Sequence, residues 1–136
     1  MSTGSFASAI NAEIAQWMAA NHPSVPVAWE NGPAIDQDAV GPIWLDVQIV
    51  WQGGKSVTTG TRPRGRDYGV VRTTVYTRDG EGTAQTDEIV DGLRELLRSR
   101  RLGGAILDYP VRDRTTPPAL GWHRAALFTP FTLDST

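Results

Sequence analysis

The sequence contains no cysteine, a single lysine, only two histidines and no long apolar run. Without cysteine there can be no disulfide, no thiolate nucleophile and no cysteine-ligated zinc. No segment approaches the ~20 consecutive apolar residues of a membrane-spanning helix, and the amino-terminal residues lack the pattern of a secretory signal. The formal charge of −2 gives no overall attraction to phosphate. We therefore expect a soluble protein with no membrane partner that is not a dedicated nucleic-acid binder.

The composition is that of one globular domain covering residues 1–136, with 40% apolar and 21% charged residues. Two apolar patterns at helical spacing predict one helix from Ser5 to about Ala20 and a second that starts at Thr83 or Thr86 and ends at Gly103-Gly104. Alternation of apolar and polar residues predicts strands between and after these helices. These strands are a short one at 25–29 and longer ones at 44–51, 68–77, 106–112 and 122–133.

This order of elements predicts an α+β fold with a mostly antiparallel, mixed sheet of about five strands. The helices pack on one face and the order along the chain is αβββαββ. The Gly/Pro/Arg-rich segment 52–67 joins two of the strands and is predicted to be a mobile hairpin excursion. A loop with Pro117-Pro118 separates the last two strands.

Arginine in alternation is the most distinctive charge feature. Arg62, Arg64 and Arg66 lie two residues apart in the hairpin segment, so an extended chain would present them on one side. They could dock on a carboxylate-bearing partner or on DNA phosphates, or they could form a solvated hairpin tip that prevents edge aggregation. Both interpretations stay open.

Tryptophan is frequent, with five residues. Trp17 and Trp51 lie on apolar faces and are predicted to be core. Trp44 lies on the opposite strand face from Leu45, so it is predicted to be partly exposed or covered by a neighbouring subunit. Aromatic residues are enriched at interface centres, which makes Trp44, with Val25 and Val27 of the short edge strand, a candidate subunit contact.

The sequence contains only weak matches to phosphate-binding, anion-binding and metal-binding motifs. We expect no catalytic residue, no metal and no cofactor. The string around Lys55 lacks the first glycine of a phosphate-binding loop, because residue 50 is valine. The turn Gly80–Gly82 opens a helix and could face an anion, but Glu81 would repel a phosphate there. The pair Asp36 and Asp38 could hold a divalent ion or form an ordinary acidic loop. Structural roles are expected for both histidines, His22 and His123.

The layout of the chain resembles the tail-terminator-like proteins of long-tailed bacteriophages and related gene-transfer particles. The similarity covers almost the whole chain but rests on layout, since each piece alone is unspecific. Its pieces are the first helix, the segment 26–31 (Pro-Val-Ala-Trp-Glu-Asn), the strand 44–51, Arg66 and Gly69, the turn 79–82, the helix with Ile89, Leu93 and Leu97, and the strand 122–128.

The resemblance implies a structural virion protein, not an enzyme, that forms a hexameric ring. Such a ring caps the tail tube, stops addition of tube protein and offers its other face to the head–tail connector, while DNA only passes through its lumen. It implies assembly in the bacterial host cytoplasm and a place at the neck end of the tail. Arg62, Arg64 and Arg66 would then pair with carboxylates of the tube protein.

Besides nucleic-acid binding through the arginines of the hairpin segment, two other functions remain as alternatives. One is a different neck or tail-completion protein that binds the head side. The other, from a separate class, is a small anion- or nucleotide-binding domain that uses the Gly80–Gly82 turn.

Overall fold

The computed structural model describes residues 3–30, 32–36, 40–57, 59–60, 64–113 and 121–134. Arg62, Asp38 and the loop with Pro117-Pro118, which carried predictions above, lie outside these residues. Of the helices in the described ranges, none has the length and apolarity that a bilayer crossing needs.

Two helices and one mixed sheet form the described fold. The elements are α1 (Thr3–Asn21), β1 (Val27–Trp29), β2 (Ile43–Ser56), β3 (Gly65–Arg78), α2 (Ala84–Leu97), β4 (Arg101–Leu102), β5 (Ala105–Leu107), β6 (Val111–Asp113) and β7 (Trp122–Asp134). The strand order is β1-β2-β3-β7-β5-β4, with β6 also paired to β7. Only β1 runs parallel to its neighbour. The predicted α+β class with a mixed, mostly antiparallel sheet is confirmed.

The hydrophobic core lies between the helices and one face of the sheet. Alternate residues of the strands, such as Leu45, Val75 and Leu127, are fully buried on this face. They pack with the apolar stripes of the two helices, which are Phe6, Ile10 and Ile14 in α1 and Ile89, Leu93 and Leu97 in α2. The period-2 and period-3.6 patterns of the sequence therefore meet in one core.

The single predicted strand over 106–112 is wrong in detail, because the chain forms two strands there. Leu107 pairs with Phe131 and Val111 pairs with Phe128, so three residues of one strand face two of the other between these pairs. Pro110 lies in this irregular stretch and has no N–H to donate to β7. The interruption, together with the short β4, gives seven strands within the described ranges instead of about five.

The prediction that Gly103-Gly104 ends the second helix is also wrong. Helix α2 ends at Leu97, and the two glycines instead connect β4 to β5 with φ angles of 56° and 82°. Positive φ at both central residues defines the two-residue turn whose twist suits a β-hairpin. The glycine pair therefore marks a hairpin, which helix periodicity alone does not reveal.

Candidate interaction surface

The hairpin of β2 and β3 has one exposed strand end, that of β2, while β3 beside it stays paired with β7 as far as Arg66 and Asp134. Its strands stay paired as far as Ser56 and Gly65, and Val57 N–H donates to the carbonyl oxygen of Arg64 at 2.8 Å. The side chains of β2 from Val50 to Ser56 are all exposed. At ~3.4 Å per residue, this exposed stretch of β2 is about 20 Å long. We call residues 51–57 and 64–69 the distal hairpin.

The segment predicted as a mobile excursion, 52–67, thus contains two paired strand ends. Pairing of β2 with β3 continues past the glycines of β2, because a β-bulge between Trp51 and Gly53 shifts the register there by one residue. Mobility of this segment stays a prediction. Trp51, predicted to be core, is 39% exposed: it lies where the helical cover ends, with its ring edge-on to Phe6 and Phe131.

Arg66 of the distal hairpin is held by an ion pair within the chain. Its Nε lies 2.6 Å from Asp134 Oδ1 and its second guanidinium nitrogen 3.2 Å from Oδ2. The hydrogen bonds from Arg66, followed by the charges of Arg66 and Arg64, hold the pKa of Asp134 below its usual value. The pair fastens the end of β3 to the end of β7. Asp134 was missed from the sequence, because strand register across 68 residues leaves no local signal.

The other predicted contact residues are less exposed than the sequence suggested for Trp44. Trp44, expected to be partly exposed or covered by another subunit, is only 7% exposed within a single chain. Its ring stacks on Tyr76 at 4.1 Å and meets Trp122 edge-on at 6.3 Å, and the Arg78 guanidinium lies 4.5 Å from the Trp122 ring centre. The expected exposure of Trp44 is therefore wrong, since cross-strand aromatic neighbours cover it.

Val25 and Val27 lie near the β1 edge of the sheet. Val25 is buried in the core and Val27 is half-buried, so Val27 has the larger share of accessible surface for a contact. Beyond β1 the edge of β2 is covered by a side chain: Glu30 Oε2 accepts a hydrogen bond from Ile49 N–H at 3.0 Å. This carboxylate occupies the place that a longer β1 would take.

The sheet face opposite the helices has no described helix or strand packed against it, and we call it the open sheet face. Strand register places seven apolar side chains there in adjacent rows. They form the apolar patch: Val50, Tyr68, Val70, Ile106, Val111, Phe128 and Pro130. All are exposed or half-buried, and Val111 is 55% exposed. An apolar patch of this kind commonly marks an interaction site.

The sequence signal for this patch was present but weak. Val50 and Val70 stand at even positions, among polar residues such as Asp46 and Arg72. Their neighbours across the strands could only be recognised once the register was known. Asp46 lies on the same face, and burial raises the pKa of its carboxyl, more than the nearby charge of Arg72 lowers it.

The turn at Gly80–Gly82 borders a cleft of about 310 Å³ at the start of α2, lined in part by Pro42, Thr77 and Glu81. Gly80 and Gly82 adopt positive φ angles of 90° and 78°. The described lining contains the Glu81 carboxylate and neither lysine nor arginine. An anion would therefore meet backbone N–H groups but also an acidic side chain.

The described ranges bring together no group of three or more His, Cys, Asp or Glu side chains that could hold a metal ion. Asp36 lies in the loop before β2, and its predicted companion Asp38 lies outside the described residues. His22 packs its ring 5.4 Å from that of Trp17 at the end of α1, and His123 is exposed near the start of β7.

Comparison with known proteins supports the fold. No protein-family model and no curated protein matches the sequence. A solved structure is similar over 100% of this chain and 98% of its own, with a TM-score of 0.74 at 19% sequence identity. Its name states no activity, ligand or partner. At this identity the likeness shows a shared fold and no more.

Proposed function

We propose that the chain is a ring-forming tail terminator of a phage or phage-like particle. It caps the finished tail tube, stops tube polymerisation and presents a surface for the head–tail connector. The observation that carries the proposal is the β2 half of the distal hairpin, a paired strand whose side chains are exposed from Val50 to Ser56. An exposed strand of this kind suits contact with neighbouring molecules better than enclosure of a substrate.

The physical requirement of a terminator is a one-sided match. A tube grows because each ring exposes a surface that receives the next, so a cap must copy the receiving contact on one side only. A closed ring needs a head-to-tail contact whose rotation returns to the start. The present subunit has unlike sides, with helices on one sheet face and an open face on the other, as such a contact requires.

The tube contact is assigned to the distal hairpin. Lys55 and Arg64 lie near its end, and Arg66 beside them is anchored by Asp134. Carboxylates of the tube protein would pair with these cations. Arg62, between the two strands in sequence, belongs to the same proposal.

The test is elongation of purified tube protein, taken from the gene cluster that encodes this chain, with and without the purified chain. Tube length should stop increasing once the chain is added, and the chain should be found at tube ends by electron microscopy. A neck protein that binds the head side would leave elongation unchanged, and that result would remove the proposal.

The charge contribution can be tested in the same assay. Reversal of Arg62, Arg64 and Lys55 to glutamate should weaken capping, because the new glutamates would repel the carboxylates of the tube protein. Normal capping by this variant would remove the assignment of the tube contact to the hairpin.

Calorimetry with phosphate and nucleotides, with Gly82→Asp as control, tests the anion-binding alternative, which the carboxylate of Glu81 disfavours.

A further inference from the structure

The apolar patch is most exposed at the end of the sheet that lies far from β1. Ile106 in β5 is 48% exposed and Val111 in β6 is 55% exposed. Both helices pack on the other face of the sheet, so α1 and α2 of the same chain cannot cover these side chains. Bulky apolar side chains exposed together indicate a contact surface for another molecule.

The outward side of α1 lacks the charges that a helix normally presents to water. Among the 19 residues of α1, Glu13 is the single charged one, and its carboxylate is paired with Arg100. A row of exposed, small and uncharged residues runs along the outward side: Ser8, Ala12, Ala15 and Ala19. Their spacing of four, three and four residues aligns them along the helix.

Helix α2 provides a contrast within the same layer. Its outward side carries Glu88, Asp91 and Glu95, all exposed, as is typical of a helix that faces water. Two helices that cover one face of one sheet thus differ in the charge of their outward sides. The difference indicates that the outward side of α1 is the one covered by another molecule.

A groove of about 260 Å³ lies between the C-terminal half of α1 and β1, and we call it the α1–β1 groove. Its lining residues are Ala15, Met18, Ala19, His22, Pro23, Val25, Val27 and Trp29. The lining contains no carboxylate, lysine or arginine, and it includes both valines that the sequence predicts as a subunit contact. An enclosed apolar cavity of roughly 150 Å³ holds a benzene molecule, so this groove has room for one large aliphatic side chain.

We propose that the apolar patch of one copy packs on the outward side of α1 of a second copy, with Ile106 in the α1–β1 groove. The inference rests on the proposed function and names the contact that closes the ring. Bulky side chains of one surface meet small side chains of the other, and the loss of water from both supplies the affinity. The groove lies at the β1 end of the sheet and Ile106 at the opposite end, so the contact is head-to-tail, the geometry that generates rings.

The two surfaces match in length. Ile106 stands opposite Thr132 and Val111 opposite Phe128, so the two side chains are about 14 Å apart along β7. The row on α1 from Ser8 to Ala19 is about 16 Å long. With β7 of one copy aligned along α1 of the next, Ile106 lies in the groove and Val111 lies near Ser8.

Charge sets the direction of this contact. Arg101 pairs with Ile106 between β4 and β5, so both side chains point to the open sheet face. Arg101 is exposed, and its guanidinium has no ion-pair partner among the described residues. The last turn of α1 contains no basic residue, so a cation at that end would interact favourably with the helix dipole. Arg101 reaches this end when Ile106 is in the groove, and it does not belong to the distal hairpin.

The first test places a carboxylate in each of the two surfaces of the full chain. The helix variant is Ala15→Glu and the patch variant is Ile106→Glu. Ala84→Glu is the matched control, because it makes the same exchange at an exposed position of α2. Glutamate is a good helix former, so the helix variant should fold, and thermal unfolding followed by circular dichroism checks all three.

The readout is molar mass by light scattering across a concentration series. The wild type and Ala84→Glu should form the same closed oligomer. Each of the other two variants should need at least about tenfold higher concentration, because the contact would bury an unpaired carboxylate. A monomeric wild type, or full assembly of folded Ala15→Glu or Ile106→Glu, would overturn the inference.

The second test uses the absence of cysteine from the chain. A chain with both Ala15→Cys and Ile106→Cys, treated with a short bismaleimide, should give a ladder of covalent oligomers on a denaturing gel. The control chain with Ala84→Cys and Ile106→Cys should stay monomeric on the same gel. Failure of the first chain to form a ladder would overturn the inference. Covalent dimers from Ile106→Cys alone would also overturn it, because they would show that two open sheet faces meet.

The outcome is separable from that of the proposed function. If the wild type arrests tube growth and Ala15→Glu assembles normally, the ring contact lies elsewhere and the terminator function stands. If the double-cysteine chain forms the ladder but the wild-type ring never arrests tube growth, the contact stands and the terminator function fails.

Discussion

Substitution of Gly69 by alanine tests the base of the distal hairpin. Glycine in a strand is normally a weakness, so the exchange should stabilise a typical strand by about 0.5–1 kcal/mol. Here a Cβ would overlap the carbonyl oxygen of Val50 and come within 2.9 Å of the Phe131 ring and 3.1 Å of Trp51 Cα. Two of these three groups are backbone atoms of the paired strand, and they can move only if the ladder opens.

The expected cost is about 2 kcal/mol, since forced overpacking typically costs 1–3 kcal/mol. In a domain of this size, each kcal/mol lowers the midpoint of thermal unfolding by roughly 3–5 °C. Gly69→Ala should therefore unfold roughly 6–10 °C below the wild type. Urea unfolding followed by tryptophan fluorescence gives the free energy, and Trp51 beside the site reports on it directly.

Gly54→Ala is the matched control in the same hairpin. Its Cβ would come within 2.5 Å of Asp67 Oδ1, at the end of a side chain that can rotate away, and 3.3 Å from the carbonyl oxygen of Arg66, which has to shift by only a few tenths of an ångström. This variant should be as stable as the wild type or slightly more stable. A Gly69→Ala variant that is equally stable or more stable would refute the reasoning, because it would mean that β3 is not paired closely with β2 at Gly69.

Two further predictions concern the open sheet face and the core. Asp46 has a pKa raised by burial, so the folded state binds a proton more tightly than the unfolded state. The free energy of unfolding should then fall as pH rises from the unfolded pKa through the folded one. Asp46→Asn should remove this slope in urea titrations between pH 3.5 and 7; an unchanged slope would contradict the assignment. Leu93 lies on the core side of α2 and is fully buried. Leu93→Ala should lower the free energy of unfolding by about 2–5 kcal/mol. Glu88 is exposed on the same helix, so Glu88→Ala should lower the free energy of unfolding by under ~0.5 kcal/mol. Equal losses for the two variants would contradict the packing of Leu93 in the core.

The elements with clear periodicity could be predicted from the sequence. Phe6, Ile10 and Ile14 recur at helical spacing, and all three are buried where α1 meets the sheet. Leu45, Val47 and Ile49 alternate with polar residues, and they form the buried side of β2. In both cases one face has to leave water, so the pattern of apolar residues follows directly from the fold.

Features that depend on pairing between distant residues could not be predicted. The burial of Trp44 depends on Tyr76 and Trp122, which are brought to it by the registers of β3 and β7. The Arg66–Asp134 ion pair and the apolar patch of the open sheet face arise in the same way. The sequence indicated that the hairpin carries charge but could not indicate that Arg66 pairs with Asp134.

The measurement that tests the central claim most directly is imaging of the chain with growing tail tubes, combined with the mass of the isolated chain. The account predicts closed rings at one end of tubes that have stopped lengthening, built from the oligomer found in solution. Tubes that continue to lengthen past bound protein, or bound protein present only as single subunits, would contradict it.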